Sequence, residues 1–412
     1  MNIVYISKYT VVPEHGTPTR QYFLSKYLSK LPGNSVLLIG SQSTIADVPS
    51  FKGLYFSKKT GNLQTVILRG PKIDLGFNLK RVWSWFIFEF NIFRFRRKIK
   101  KFKPDIIIVS SLSILTFLSG VFLKKWLRTP LVIEVRDIYP LTLQEVGNFS
   151  RTNPVIIFLK WVERVGYKNA DLLVSTLPNM KEHISTVLNK PFQFYWLPMG
   201  IDIDFFRANG IRHPGLNLNR KKSDFVVIYA GTIGKANALE TIFESAEILQ
   251  ETQPHIKFVF IGGGPLKPFY QKKYSHLTRV VFLEPVSKIE LPGILEQADL
   301  VINTWLNKPI YRFGISPNKW IDYMYAAKPI LVAFNGFRCI IEDAGCGKFI
   351  PAENKFLLVD SITEFSRMNR DELNQIGENG KRYLLKKLTY ELLAKDFNKK
   401  LIALKGVNSI DK

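Results

Sequence analysis

Cysteine is almost missing from this sequence: Cys339 and Cys346 are the only two in 412 residues. Two thiols cannot build the dense disulfide framework of a small secreted domain, so a reducing compartment is expected. Acidic residues are scarce as well. There are 34 Asp and Glu against 58 Lys and Arg, a formal charge of +24, and so much like charge repels itself unless something anionic lies nearby. The excess is uneven, with 18 basic and 5 acidic side chains in residues 1–110, so the anionic partner is expected at the N-terminal part. No apolar run is long enough to span a bilayer. The longest, Val82 to Phe95, is broken by Ser84, Glu89, Asn91 and Arg94 and falls short of the ~20 apolar residues a spanning helix needs. The start, Met1 to Ser7 followed by Lys8, lacks the basic stretch and apolar core of a signal peptide. A cytoplasmic protein, peripheral on the inner face of the cell membrane, is the expectation.

Several chemical signatures are lacking too. Neither G-x-G-x-x-G nor G-x-x-x-x-G-K-[ST] occurs, which removes the usual dinucleotide and P-loop readings. The five histidines are scattered, and C-x-x-C and H-x-x-x-H are not found, so no metal or cofactor is expected and no catalytic triad is visible.

What the sequence has is apolar residues, 46% of the chain, enough to fill sizeable cores, and a length that suggests two domains. Short β-branched runs alternate with amphipathic segments, the pattern of parallel strands joined by helices. Strands are expected at Ile3–Ile6, Val36–Ile39, Thr65–Leu68, Ile106–Ser110, Leu131–Val135 and Leu172–Ser175. A second series follows at Val226–Tyr229, Lys257–Ile261, Val280–Leu283, Leu300–Asn303 and Ile330–Val332, with helices such as Thr19–Lys30, Leu239–Gln250 and Asp322–Ala327 between. The weakly patterned stretch Pro198–Ser223, with Gly200, Gly210, Pro214 and Gly215, reads as an interdomain linker. The class is therefore α/β: two Rossmann-like parallel-sheet domains, 1–200 and 201–387, facing across a cleft at the carboxyl ends of their strands. The last segment, Asn379–Leu404, reads as one basic helix, crossing back so that residues 388–412 complete the first domain.

Four segments carry candidate chemistry. After the first strand, Gly16, Thr19 and Arg20 suit a phosphate at a helix start, or simply a capped turn. Gly231-Thr232-Ile233-Gly234-Lys235 and Gly262-Gly263-Gly264 follow strands, where glycines serve ligand approach or tight packing equally. Ser316-Pro317-Asn318-Lys319 opens a helix with Asp322 three residues on. One group suits phosphate and the other sugar hydroxyls, although such a pair in isolation is more often a solvated i,i+3 contact.

The stretch Arg312–Ile330, RFGISPNKWIDYMYAAKPI, resembles the signature of glycosyltransferase family 4, especially its WbuB-like bacterial branch. So do Gly231–Gly234, Ile261–Lys267, Pro198-Met199-Gly200-Ile201-Asp202 with Phe205, Glu134–Pro140 and Ala344–Gly347, in order along nearly the whole chain. There are departures: Gly314 stands where the family's first acid falls, Arg136 where a histidine is usual, and Met199 where an asparagine is. The resemblance implies the GT-B fold and metal-independent, retaining transfer of a sugar from a nucleotide-sugar donor, a UDP-sugar by expectation, to a lipid-carrier-linked acceptor in surface polysaccharide assembly. It implies that Lys319, Arg20, Arg136 and Asp137 serve catalysis. Gly16, Thr232, Gly234, Lys235, Gly263, Gly264, Val286, Ser316, Asn318, Lys319 and Asp322 would bind the donor, Asp322 at the ribose. An epimerase or hydrolase of the same fold is the alternative.

Leu79–Phe102 gathers Trp83, Trp85 and Phe86 with Arg96, Arg97, Lys98, Lys100 and Lys101. Aromatics with a basic flank suit the headgroup layer of an anionic bilayer, while a helix preceding a strand must also bury one face against its sheet. The charge alone would also allow a nucleic-acid partner, but no motif that reads nucleic acid accompanies it.

Overall fold

The computed structural model describes residues 1–42, 48, 51–71, 79–211, 218 and 220–410. It divides into two compact units, Met1–Gly200 with Tyr390–Lys412, and Ile201–Thr389. Most of the expected linker's glycine- and proline-bearing middle, 212–217 and 219, lies outside the described residues.

The first unit carries β1 (Asn2–Ile6), β2 (Ser35–Ser41), β3 (Tyr55–Thr60), β4 (Leu63–Leu68), β5 (Ile106–Ser110), β6 (Leu131–Val135), β7 (Leu172–Ser175) and β8 (Phe194–Trp196). Among the described residues they form one sheet in the order β3-β4-β2-β1-β5-β6-β7-β8. All neighbours are parallel except β3 against β4. That hairpin turns at Gly61, whose φ of +58° is a conformation few side chains tolerate. Its helices are α1 (Arg20–Lys30), α2 (Leu79–Lys101), α3 (Thr116–Leu127), α4 (Leu141–Glu145), α5 (Pro154–Asn169) and α6 (Met180–Val187).

The second unit holds β9 (Phe225–Ala230), β10 (Ile256–Ile261), β11 (Val280–Leu283), β12 (Leu300–Thr304), β13 (Ile330–Ala333) and β14 (Gly347–Ile350), a parallel sheet in the order β11-β10-β9-β12-β13-β14. Its helices are α7 (Ile203–Asn209), α8 (Glu240–Thr252), α9 (Lys267–Lys273), α10 (Leu291–Leu295), α11 (Asn318–Tyr325), α12 (Ile341–Ala344), α13 (Lys355–Arg367) and α14 (Arg370–Lys387). The strand order reverses between β9 and β12, the place where open α/β sheets splay their loops apart and bind ligands.

The basic C-terminal helix is two helices rather than one. α14 starts earlier, on a capping box between Asn369 and Glu372, and stops at Lys387. The carbonyl of Leu388 accepts from the N–H of Ile201 at 2.9 Å, and Thr389 bridges to Ile201, so a helical bond is exchanged for a strand-like one. The last helix, α15 (Tyr390–Ile410), belongs to the first unit. Tyr390, Leu393, Ala394, Phe397, Leu401 and Leu404 enter its core beside Leu24 and Leu28 of α1, a 3–4 spacing that lays one helix face on another.

Candidate active site

Three loops at the carboxyl ends of β9, β10 and β11 and the first turn of α11 enclose a cavity of about 460 Å³, lined by Gly231, Thr232, Gly262, Gly263, Pro285, Val286, Leu291, Asn318, Lys319 and Asp322 among others. Glycine is obligatory at the crossing of the first two loops. A Cβ on Gly262 would lie 2.1 Å from the carbonyl oxygen of Gly231, and one on Gly264 would lie 2.3 Å from that of Ile233, far inside van der Waals contact. Of the expected donor-binding residues, Thr232, Gly263, Val286, Asn318, Lys319 and Asp322 line this cavity. Gly264 serves loop packing instead. Gly234 and the exposed Lys235 continue the first loop outside the cavity lining. Ser316 precedes the helix, its hydroxyl buried without a hydrogen-bond partner in the described structure.

Lys319 sits in the first turn of α11, whose N-cap, Pro317, offers no side-chain cap to the free N–H groups. Anions are favoured at such a helix start. Its ammonium donates to the Tyr229 hydroxyl at 3.1 Å and to Asn237 Oδ1 at 3.0 Å, and lies 4.5 Å from the Tyr229 ring centroid. Among the described residues no carboxylate pairs with it. Burial without a counter-ion disfavours the charged form and pulls the ammonium down to about 7. Gly231 leaves it room, since a Cβ there would come within 3.0 Å of Nζ. Asp322, one turn on and buried, pairs instead with Lys288 from the loop after β11.

Sequence reading missed Tyr229, Asn237 and Lys288. Asn237 gathers the site: its amide donates to the Thr232 carbonyl at 2.9 Å while its carbonyl accepts from Lys319. No local spacing announces such a residue, because its partners lie 5 and 82 positions away.

In the first unit, Arg20 is no donor ligand. It is buried, with Nε donating to Glu134 Oε1 at 3.0 Å, Nη2 to the Leu197 carbonyl at 2.7 Å, and Nη1 to that of Pro198. Glu134 also accepts from the Tyr5 hydroxyl at 2.6 Å. Burial alone would raise that carboxyl, but Arg20, Arg136 and the hydrogen bonds outweigh it and hold it low. A guanidinium engaged this way ties β1, α1, β6 and the residues after β8 together, and its side chain has no exposed surface at which to meet a phosphate. Gly16, at φ +134° with Val11 3.4 Å from the position of a Cβ, belongs to this unit's first loop. Beyond β6, the N–H of Arg136 donates to Ser111 Oγ at 2.8 Å. Asp137 is exposed; partial desolvation by the surrounding protein raises its carboxyl, against Arg136 and Arg81.

α2 shows two faces. Trp85, Phe88, Ile92, Phe95 and Ile99 are buried at 3–4 spacing against the unit, and Trp85 donates its indole N–H to Tyr9 Oη at 2.9 Å. At 4% exposed, Trp85 has no membrane-facing surface, which corrects its expected place. Trp83, Phe86, Phe90 and Phe93 occupy the opposite face, with Trp83 64% and Phe90 61% exposed. Arg97, Lys98, Lys100 and Lys101 are exposed and Arg96 is half-buried, its guanidinium 3.8 Å over the Phe93 ring. Among the described residues no helix is long and apolar enough to cross a membrane.

Residues 217–383 match the family model for glycosyl transferases group 1, and residues 69–191 match the glycosyl transferase 4-like domain. No curated protein matches the chain. Among solved structures, sucrose-phosphate synthase from Thermosynechococcus elongatus is similar at 15% identity and a TM-score of 0.74, over 98% of this chain and 99% of that one. Anabaena Alr3699/HepE in complex with UDP and glucose is similar at 14% identity and 0.62, over 97% and 98%. The Escherichia coli trehalose-6-phosphate structure bound with UDP-2-fluoro glucose is similar at 12% and 0.73, over 97% and 99%. At such identities the likeness establishes the fold, GT-B, with its two parallel-sheet domains.

Proposed function

We propose that this chain, a glycosyltransferase by its match to the glycosyl transferases group 1 and glycosyl transferase 4-like models, moves a hexosyl or N-acetylhexosaminyl group, with retention and without a metal, from a UDP-sugar to a lipid-carried saccharide at a membrane. Surface polysaccharide assembly, in the manner of the WbuB-like branch it resembles, is the proposed setting. One observation carries the donor half: a half-buried lysine with no carboxylate partner among the described residues, at an open helix start, on the wall of a cavity at the sheet's switch point. As the bond between the sugar and the β-phosphate breaks, negative charge grows on the departing diphosphate. An ammonium and free N–H groups already aimed there stabilise that charge more than they stabilise the ground state. Asp322 accepts from the ribose, and Val286 and Pro285 flank the base. UDP as the nucleotide is carried over from the ligands named for the similar structures. Arg136 and Asp137 are the proposed acceptor-side groups.

The membrane half rests on the outward aromatics of α2 with its basic C-terminal turn. It is supported further by exposed Phe122 and Trp126 on α3 and exposed Ile157, Phe158 and Trp161 on α5. Phe93 meets Phe122 at 5.5 Å between ring centroids, so the α2 and α3 aromatics adjoin. A run of exposed rings bordered by cations suits the interfacial layer of an anionic bilayer.

Steady-state kinetics test the donor assignment. Lys319→Ala lowers kcat by ~10²-fold or more, because it removes a charge whose value grows as the diphosphate leaves. Asp322→Ala chiefly raises the donor KM, because the ribose hardly changes during reaction. Near-parental kinetics for both folded variants would place the donor elsewhere. Assay of the donor without acceptor identifies a hydrolase or epimerase by its product.

A further inference from the structure

Lys288 lies in the loop between β11 and α10, on the segment that supplies Pro285, Val286 and Leu291 to the cavity. Its ammonium reaches across to Asp322 Oδ1 on α11. The aspartate side chain is 9% exposed and the lysine's 30%, so the pair is largely shielded and its geometry is held. Among the described residues, the second carboxylate oxygen of Asp322 accepts from none. A carboxylate fixed at one oxygen presents the other in a single direction. An unfixed one rotates about its terminal bond and offers both oxygens to water.

Resting on the donor reading above, we propose that Lys288 is the positioning residue that makes Asp322 a reader of ribose: it holds one carboxylate oxygen so that the other accepts from a single ribose hydroxyl. The same ion pair fastens the loop carrying Pro285 and Val286 to α11, so the base-flanking wall and the ribose contact form as one piece. It also cancels the charge of Asp322, which would otherwise repel an incoming diphosphate at close range. Lys288 touches no reacting atom, so its effect falls on donor binding and on the choice among nucleotides, leaving turnover unchanged.

Discrimination between UDP and its 2′-deoxy and 3′-deoxy analogues, measured by titration calorimetry, tests this. The parent protein binds one of the two analogues at least tenfold more weakly than UDP, because that analogue leaves the fixed oxygen unpaired. In Lys288→Met the ratio falls to about twofold, UDP itself binds about tenfold more weakly, and kcat at saturating donor is unchanged. Lys288→Arg restores the ratio. Lys288→Gln serves as a second uncharged variant should the methionine variant fail to fold, and its melting temperature is read beside the parent's. Equal weakening of UDP and both analogues in Lys288→Met would reduce the lysine to a source of charge and overturn the positioning role; unchanged discrimination would overturn it as well. Failure of the parent to bind UDP at all is a different result: it overturns the UDP donor reading itself, and the role of Lys288 with it.

Discussion

A lysine ammonium that burial has pulled down to about 7 regains its proton when a diphosphate is set beside it, because the added negative charge favours the charged form. The sign of the pH dependence follows. In the free protein, between pH 7 and the unfolded value of about 10.5, the unfolded chain holds a proton that folded Lys319 lacks, so this residue's contribution to stability rises with pH across that window. Nucleotide binding runs the other way. At pH 8 the complex takes up a proton through Lys319, and affinity for UDP falls as pH rises above 7 towards the bound-state value. Calorimetric titrations at pH 8 in two buffers of different ionisation enthalpy should give different apparent heats, and the difference should vanish in Lys319→Met. Identical heats in the parent would separate Lys319 from the diphosphate. Arg20 makes the contrast at the same scale. Both cations open or follow a helix start in the sequence, yet Arg20 is fully buried and paired with the Glu134 carboxylate and two carbonyls, while Lys319 is held by neutral partners. The difference lies in residues more than a hundred positions from Arg20, which no local pattern reports.

At the scale of elements, three strands escaped the sequence pattern: β3, β8 and β14, each at the edge of its sheet. β3 is partly exposed on its faces and free on one side, and it carries no continuous apolar run, reading Tyr-Phe-Ser-Lys-Lys-Thr; β8 has only three residues and β14 opens on Gly-Lys, whereas β11, also at an edge, was legible through Val-Val-Phe-Leu. The inner strands, covered on both faces, are written in isoleucine, valine and leucine and were legible to within a residue or two. α2 shows the converse. Its aromatics belong to two faces, and only the fold assigns Trp85 inward and Trp83, Phe86, Phe90 and Phe93 outward. Sedimentation with anionic vesicles at low salt separates the two sets. Replacing Trp83 and Phe90 by Ser, or Arg97, Lys98, Lys100 and Lys101 by Gln, should weaken binding, at about 1 kcal/mol for each basic residue and with loss as salt rises. Trp85→Phe should leave vesicle binding alone and lower the melting temperature, since it removes the bond to Tyr9. Equal sedimentation of the parent and both surface variants would remove the membrane from the proposed function.

For the whole molecule, the proposed chemistry assigns the charge of the leaving group to Lys319 and a helix start, so transfer is expected to persist in excess EDTA. Loss of activity on chelation, restored by a divalent ion, would refute that assignment. The sequence by itself determined the α/β class, the two series of buried strands, the loops that end them and the signature around Lys319 and Asp322, because each is written in neighbouring residues: an apolar run, a glycine at a strand end, a turn of helix. Only the tertiary structure decided what those residues meet. It brought Asn237 and Tyr229 to Lys319 and Lys288 to Asp322, spent Arg20 on Glu134, turned Trp85 inward, and ended α14 where the carbonyl of Leu388 was taken by Ile201. These outcomes depend on contacts between segments far apart in the chain, where burial and pairing select one partner among many, and that selection is made by packing the whole chain and not by any stretch of it.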